Sequence, residues 1–204
     1  MQAPHLWIPR TKIIENRDPF KLPSIGVSGR FCIIGTLPDG RSRIIADWQS
    51  NLITTTGLNR WGTGSIIGYC SVGSGNTAPT YDDTALVTYL RTNSSVPSTT
   101  VGAQSSTPYY GWQKKTFRFN PHGGGTPLTL AEVGFGWASG GGSLWSRALV
   151  KDINGDPTTV SWLGTETLDV FYELRNYPWL TGVYYEEVIG GVTYSGYMWA
   201  AQVT

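Results

Sequence analysis

Charge, histidine and cysteine are all scarce in this chain of 204 residues. Charged residues make up 14% of it, and the formal net charge is +1. That balance leaves no bulk basic field to draw in nucleic acid, and no acidic tail. The two histidines, His5 and His122, have no second ligand at the spacing that zinc sites need. The two cysteines, Cys32 and Cys70, supply no framework. Both sit in apolar strand-like runs and read as buried free thiols, although the sequence leaves a pairing open. No apolar run is long enough to span a bilayer, and Met1 to Pro9 lacks the apolar stretch of a secretory signal. These scarcities point to a soluble protein with no metal, no cofactor, no membrane and no nucleic-acid partner.

Motifs for chemistry are also missing. There is no Gly-x-Ser-x-Gly elbow, and no histidine follows a convincing serine. Gly73-Ser74-Gly75 lacks the Gly-Lys-Ser/Thr ending of a phosphate loop and reads as a turn. Asp152 to Asp156 begins like a calcium loop, but Pro157 and Leu163 stand at later positions that such a loop reserves for Gly and Glu. Paired carboxylates could hydrolyse glycans, yet nothing singles out a pair among Asp82, Asp83, Glu132, Glu166, Glu173, Glu186 and Glu187. Glu132 and Glu173 lie in strand-like runs beside Arg147 and Arg175, so cross-strand ion pairs explain them better. The expectation is a protein that is not an enzyme and has no catalytic residue.

What the chain has in quantity is glycine and tryptophan, 26 and 9 residues. Many glycines with many aromatics suit short strands joined by tight turns, and they do not suit helices. Large rings also suit both cores and interfaces. Residues 1–27 differ from the rest, with Pro4, Pro9, Pro19 and Pro23 spaced too closely for helix or central strand. They read as an extended N-terminal arm. Its anchors Leu6, Trp7, Ile8, Ile13, Ile14, Phe20 and Leu22 are too many for a solvated tail, so the arm is expected to lie on its own domain or on a neighbouring subunit, the latter making it an assembly element.

Residues 28–204 read as one β domain. Gly29 to Leu37 and Ser42 to Trp48 form a hairpin around Pro38-Asp39-Gly40. Asn51 caps a short helix ending near Gly57, and Asp82 or Asp83 caps a second running through Leu90. Ile66 to Gly73 is a buried strand, and Thr92 to Pro108 is a long loop or a weak edge strand. Tyr110 to Phe119 alternates around Trp112, Phe117 and Phe119. Leu128 to Trp137 and Leu144 to Lys151 are further strands, and Asn154-Gly155 turns the latter back into Pro157 to Leu163. Thr167 to Asn176 sends Leu168, Val170, Tyr172 and Leu174 one way and Asp169, Phe171, Glu173 and Arg175 the other. Gly190-Gly191 joins a last hairpin. Turn signals separate about nine to eleven such strands, which predicts an all-β sandwich or jelly-roll-like domain with one or two short inserted helices.

The aromatics supply the candidate surface. Trp137, Trp145, Trp162, Trp179 and Trp199 suit either a sugar-stacking platform or a core and subunit interface, and the alternation of several with apolar neighbours favours the latter. Late in the chain, Trp179, Tyr184, Tyr185, Tyr194, Tyr197 and Trp199 are candidates for an interface or ligand surface.

Several segments then form a series: Asp47 to Ile53 with Gly57-Leu58-Asn59, Val72 to Pro79 with Asp83 to Leu86, Leu130 to Gly134, Leu144 to Leu149, and Leu168 to Arg175. This series, over residues 30–178, resembles small virion structural proteins of tailed bacteriophages. The resemblance implies an oligomeric tail or neck component, located in the virion after synthesis in the host cytoplasm, with other tail or neck proteins as partners. It transfers no catalytic residue. Two other roles stay open at this point: a capsid decoration protein, and a module that binds a glycan or host receptor.

Overall fold

Alternation of apolar and polar side chains builds the first sheet. The computed structural model describes residues 26–178 and 183–198. Strand β1 (Gly26–Thr36) pairs antiparallel with β2 (Ser42–Ser50) on one side and β12 (Thr167–Tyr177) on the other. Beyond β12 come β7 (Tyr110–Phe119) and the edge strand β6 (Ser98–Gln104), giving the order β2-β1-β12-β7-β6. On β12, Leu168, Val170, Tyr172 and Leu174 are buried in the core, as the alternation predicted. The turn after β1 uses Gly40 at φ 84°, with the Gly40 N–H donating to Leu37 O at 2.9 Å.

The second sheet has the order β3 (Leu52–Ile53), β10 (Leu144–Leu149), β9 (Glu132–Gly136), β4 (Tyr69–Gly73) and β5 (Tyr89–Asn93). Both β9 and β10 are buried at every position, polar residues included. The two sheets meet face to face at Phe135. Its ring lies 6.4 Å from Phe31, 6.0 Å from Phe117 and 4.1 Å from Tyr172, all three on the first sheet. This is a β-sandwich. Burying one such ring contributes about 1.5–3 kcal/mol. Cys32 and Cys70 are free and buried. Burial pushes the Cys32 thiol up to about 11, with the Asp47 charge adding to it, and it pushes Cys70 up as well.

Some sequence expectations are corrected. Only one helix forms among the described residues, α1 (Thr55–Asn59). Its cap is Thr54, whose hydroxyl accepts from the Gly57 N–H at 3.0 Å, and not Asn51, which bonds Tyr172 instead. No helix follows Asp83. Ala85 bridges Gly142, and Tyr89 to Asn93 is strand β5. The sequence around Asp83 looked like a cap because its carboxylate accepts from the Thr80 N–H and hydroxyl, as a turn also requires. The run from Leu128 to Trp137 splits at Ala131 into β8 (Leu128–Leu130) and β9. The Asn154-Gly155 turn forms, with Gly155 at φ 87°, but the returning strand β11 (Val160–Trp162) pairs with β8 and not with β10. Gly26 and Val27 open β1, so that pairing reaches two residues into the segment read as arm. Fourteen strands appear among the described residues because the sequence divided short elements too coarsely.

The chain divides into two compact units, and Ile25–Pro178 is one of them. The other contains the hairpin β13 (Val183–Ile189) and β14 (Val192–Met198). Its turn residues Gly190 and Gly191 have φ 61° and 83°. Positive φ at both central positions defines the turn whose twist matches a hairpin. Among the described residues no helix is long and apolar enough to cross a membrane.

Candidate interaction surface

The carboxylates were the first candidates for chemistry, and the fold uses them for structure. Glu132 on β9 and Arg147 on β10 meet on the diagonal of the ladder, Nε to Oε2 at 2.8 Å, with side chains 0% and 1% exposed. Arg147 also donates to Asp83 and to Thr77 O, each at 2.7 Å. Glu132 accepts from the N–H groups of Gly75, Val87 and Thr88 at 3.1, 3.1 and 2.7 Å. One buried ion pair therefore fastens the irregular chain between β4 and β5 to the sheet. Gly75 is required there, since a Cβ would lie 2.5 Å from both Glu132 Oε1 and Val87 Cβ. Burial works to raise the Asp83 pKa, but the Thr80 N–H, Arg147 and the Thr80 hydroxyl outweigh it and hold the carboxyl below its ordinary value.

A second set lies on the outer face of the first sheet. Arg30 forks onto Glu173 through two bonds of 3.0 Å, Arg175 adds one of 2.8 Å, and Lys114 stands 3.6 Å away. The sequence paired Glu173 with Arg175 across strands. They are in fact two residues apart on β12, and the cross-strand partners are Arg30 and Lys114. Arg118 forks onto Asp169, and Arg43 onto Glu166. Burial opposes ionisation of Glu166 and Glu173, yet Arg43 with the Leu163 N–H, and Arg30 with Arg175, hold both carboxyls below the ordinary range.

Aromatic rings interleave with these charges. The guanidinium of Arg30 lies 4.5 Å from the Trp48 ring centroid, and Arg175 lies 4.4 Å from that of Tyr110. Lys114 sits between Trp48 and Trp112 at 5.4 and 5.5 Å. The sequence grouped Trp112 with Phe117 and Phe119. Odd and even positions point to opposite faces, so Trp112 joins this outer surface and the two phenylalanines enter the core. Parity along Tyr110 to Phe119 was the available signal.

Trp145 and Trp162 are both fully buried in the core, so they form no platform. Trp145 donates to Tyr172 Oη at 2.9 Å and Trp162 to Glu166 O at 2.8 Å, which satisfies each indole. His122 stacks edge-on against Trp162 at 5.0 Å and accepts from the Gly124 N–H through Nδ1. Asp152 accepts from the N–H groups of Asn154 and Asp156, which makes the calcium-like segment a turn. Among the described residues no three His, Cys, Asp or Glu side chains gather as metal ligands. An open cleft of about 420 Å³ lies beside Tyr89, Arg91, Asn93, Asn120 and Trp162, and another of about 400 Å³ beside Asn51, Pro79, Arg147 and Pro157.

The terminal hairpin gathers three exposed tyrosines; Trp48, Trp61, Tyr81, Tyr89 and Tyr109 are exposed elsewhere. Tyr184 pairs with Tyr197 across β13 and β14, their rings 5.5 Å apart and edge to face. Tyr194 pairs with Glu187, which puts it on the opposite face. Tyr184, Tyr194 and Tyr197 are exposed at 53, 52 and 62%, and Val188, Ile189 and Val192 near the turn at 57, 57 and 54%. So three of the sequence candidates come together on one element, distributed over both of its faces. Tyr185 pairs with Gly196 through the backbone. The Tyr185 side chain and all of Trp179, Trp199, Leu6, Trp7, Ile8, Ile13, Ile14 and Phe20 lie outside what the structure describes. No protein-family model, no curated protein and no solved structure matches this chain.

Proposed function

We propose that this chain is a structural component of a tailed-bacteriophage particle, an oligomeric tail or neck subunit that works by binding and not by catalysis. The observation that carries binding is the hairpin of β13 and β14. A two-stranded hairpin is marginal in water by itself. This one bears three tyrosines and three aliphatic residues more than half exposed, on both faces. Aromatic side chains of that kind are enriched where proteins meet.

The ion pairs give the reading further support. Glu132, Glu166, Glu173, Asp169 and Asp83 are each bonded to arginine, which suits a rigid building block more than an acid or base poised to exchange protons. The place in a phage particle rests on the motif series of residues 30–178. Two of its segments supply Glu132 and Arg147, and a third supplies Gly75, Thr77 and Asp83, so much of the series serves a single buried cluster.

Quantitative mass spectrometry of purified particles of the encoding virus tests the proposal. A low, fixed copy number matching tail or neck symmetry is the expected result. A count near that of the major capsid subunit would shift the role to head decoration. Absence from the particle would overturn it and leave a receptor- or glycan-binding module to be tested.

A further inference from the structure

Each sandwich sheet has two edges, and three of the four are defended among the described residues. Along β2 the register with β1 shifts twice, between Phe31 and Ile33 and again between Ile33 and Ile34. The same strand carries Arg43 and Asp47. Strand β3 has two residues. Strand β5 has five, with Arg91 among them and a register shift between Val72 and Gly73. Irregularity, charge and shortness are the usual devices that keep an edge from pairing with another chain.

Strand β6 has none of them. Its seven residues, Ser98 to Gln104, pair with β7 from Ser98↔Thr116 to Gln104↔Tyr110 without a shift. The strand contains no charge and no proline, and six of its residues are exposed. Every second residue of an antiparallel edge aims its N–H and C=O outward, so β6 offers a row of donors and acceptors that no strand among the described residues pairs. Thr99, Val101 and Ala103 stand on the face that further along β7 carries the core residues Phe117 and Phe119. There the second sheet gives no cover, and Val101 is 71% exposed. On the other face Trp112 lies over Gly102, whose missing side chain leaves room for the ring.

We infer that β6 is a docking edge for β6 of a second copy of this chain, joined antiparallel about a two-fold axis at Val101. The strand fits itself. Centred on Val101, Ser98 meets Gln104, Thr99 meets Ala103, and Thr100 meets Gly102. No like charges oppose one another, and no two bulky side chains do. A two-fold contact of this kind presents the same surface from both partners and closes after two copies. It joins two five-stranded sheets into one continuous sheet and unites the small uncovered faces around Val101. The inference stands apart from the placement in a virion, because it concerns the purified chain alone.

Sedimentation velocity and amide hydrogen exchange of the full chain, from about 1 to 100 μM, a range that brackets micromolar association, test it together. The expected result is a concentration-dependent mass increase with protection of backbone amides within Ser98 to Gln104 as concentration rises. Val101→Lys places two ammonium groups against each other at the axis. It should weaken association at least tenfold and abolish the added protection. In dilute solution its denaturation midpoint should match that of the parent, as for other exposed sites. Val101→Glu, which sets two carboxylates against each other at the same place and faces the uncharged Gln113 within its own sheet, should act alike. A single-chain mass throughout, or self-association and protection unchanged in both variants, would overturn the inference. Protection of β6 seen only inside particles would overturn it too, and would give the edge to a strand of a different protein.

Discussion

Arg147 shows how one side chain can organise a region that has no regular structure. Its Nε bonds Glu132, one terminal nitrogen bonds Asp83, and the other bonds Thr77 O. The sequence exposes the first of these partners, because Glu132 and Arg147 fall in neighbouring strand-like runs. It hides Asp83 and Thr77, which are 64 and 70 residues distant and come close only after the sandwich forms. Removing one member of a buried pair leaves a stranded charge, and typically costs about 3–5 kcal/mol. Three backbone N–H groups already solvate Glu132, so the lower end of that range applies here. Arg147→Met should therefore lower the unfolding free energy by about 3 kcal/mol in urea. Adding Glu132→Gln should recover part of the loss, since no buried anion then remains. A double variant no more stable than Arg147→Met would show that the arginine acts mainly through Asp83 and Thr77.

At the scale of elements, patterning decided what could be read. Long strands with strict alternation, such as β12, are legible because a one-residue slip would expose the whole apolar row. Turns with Pro or paired Gly are legible for reasons of backbone geometry. Strands β9 and β10 are harder, since burial on both faces erases alternation. Helix α1 was legible only in part: the sequence began it after Asn51, but Leu52 and Ile53 form strand β3, and Asn51 and Thr54 are both good caps that only the tertiary contacts separate. Thr54 also donates to Leu144 O at 2.8 Å, and the Thr54 N–H donates to Trp145 O at 3.0 Å. The same contact makes Gly57 a test. Gly to Ala inside a helix ordinarily stabilises by about 1 kcal/mol. Here a Cβ would lie 2.8 Å from Trp145 Cα and 2.9 Å from its carbonyl carbon, which belong to backbone and cannot swing away. Overpacking of that kind costs about 1–3 kcal/mol. Gly57→Ala should therefore lower the midpoint of thermal unfolding; a rise would mean that α1 can shift off β10 without loss.

For the whole molecule, the paired carboxylates set a dependence on acid that no single strand reveals. Asp83, Glu166 and Glu173 each have a folded pKa below the ordinary value, because arginines and N–H groups outweigh the burial that opposes their ionisation. In the unfolded chain these groups titrate near about 4. A depressed folded pKa means that the unfolded state takes up protons first as pH falls. The stabilising contribution is complete above the unfolded values and is lost as pH drops through the folded ones. The melting temperature should thus be level from about pH 7 to pH 5 and fall steeply below about pH 4. Among the described residues Glu173 gathers the most cations, with Arg30, Arg175 and Lys114 around one carboxylate that is 5% exposed. Glu173→Gln removes the titrating group and leaves three cations together. It should lower the melting temperature at pH 7 and flatten its decline below pH 4, so that parent and variant converge in acid. Calorimetry from pH 7 to about pH 2.5, which spans both titrations, measures both effects at once. A variant curve parallel to the parent throughout would mean that Glu173 contributes through packing alone, and that the acid response belongs to Glu166 and Asp83.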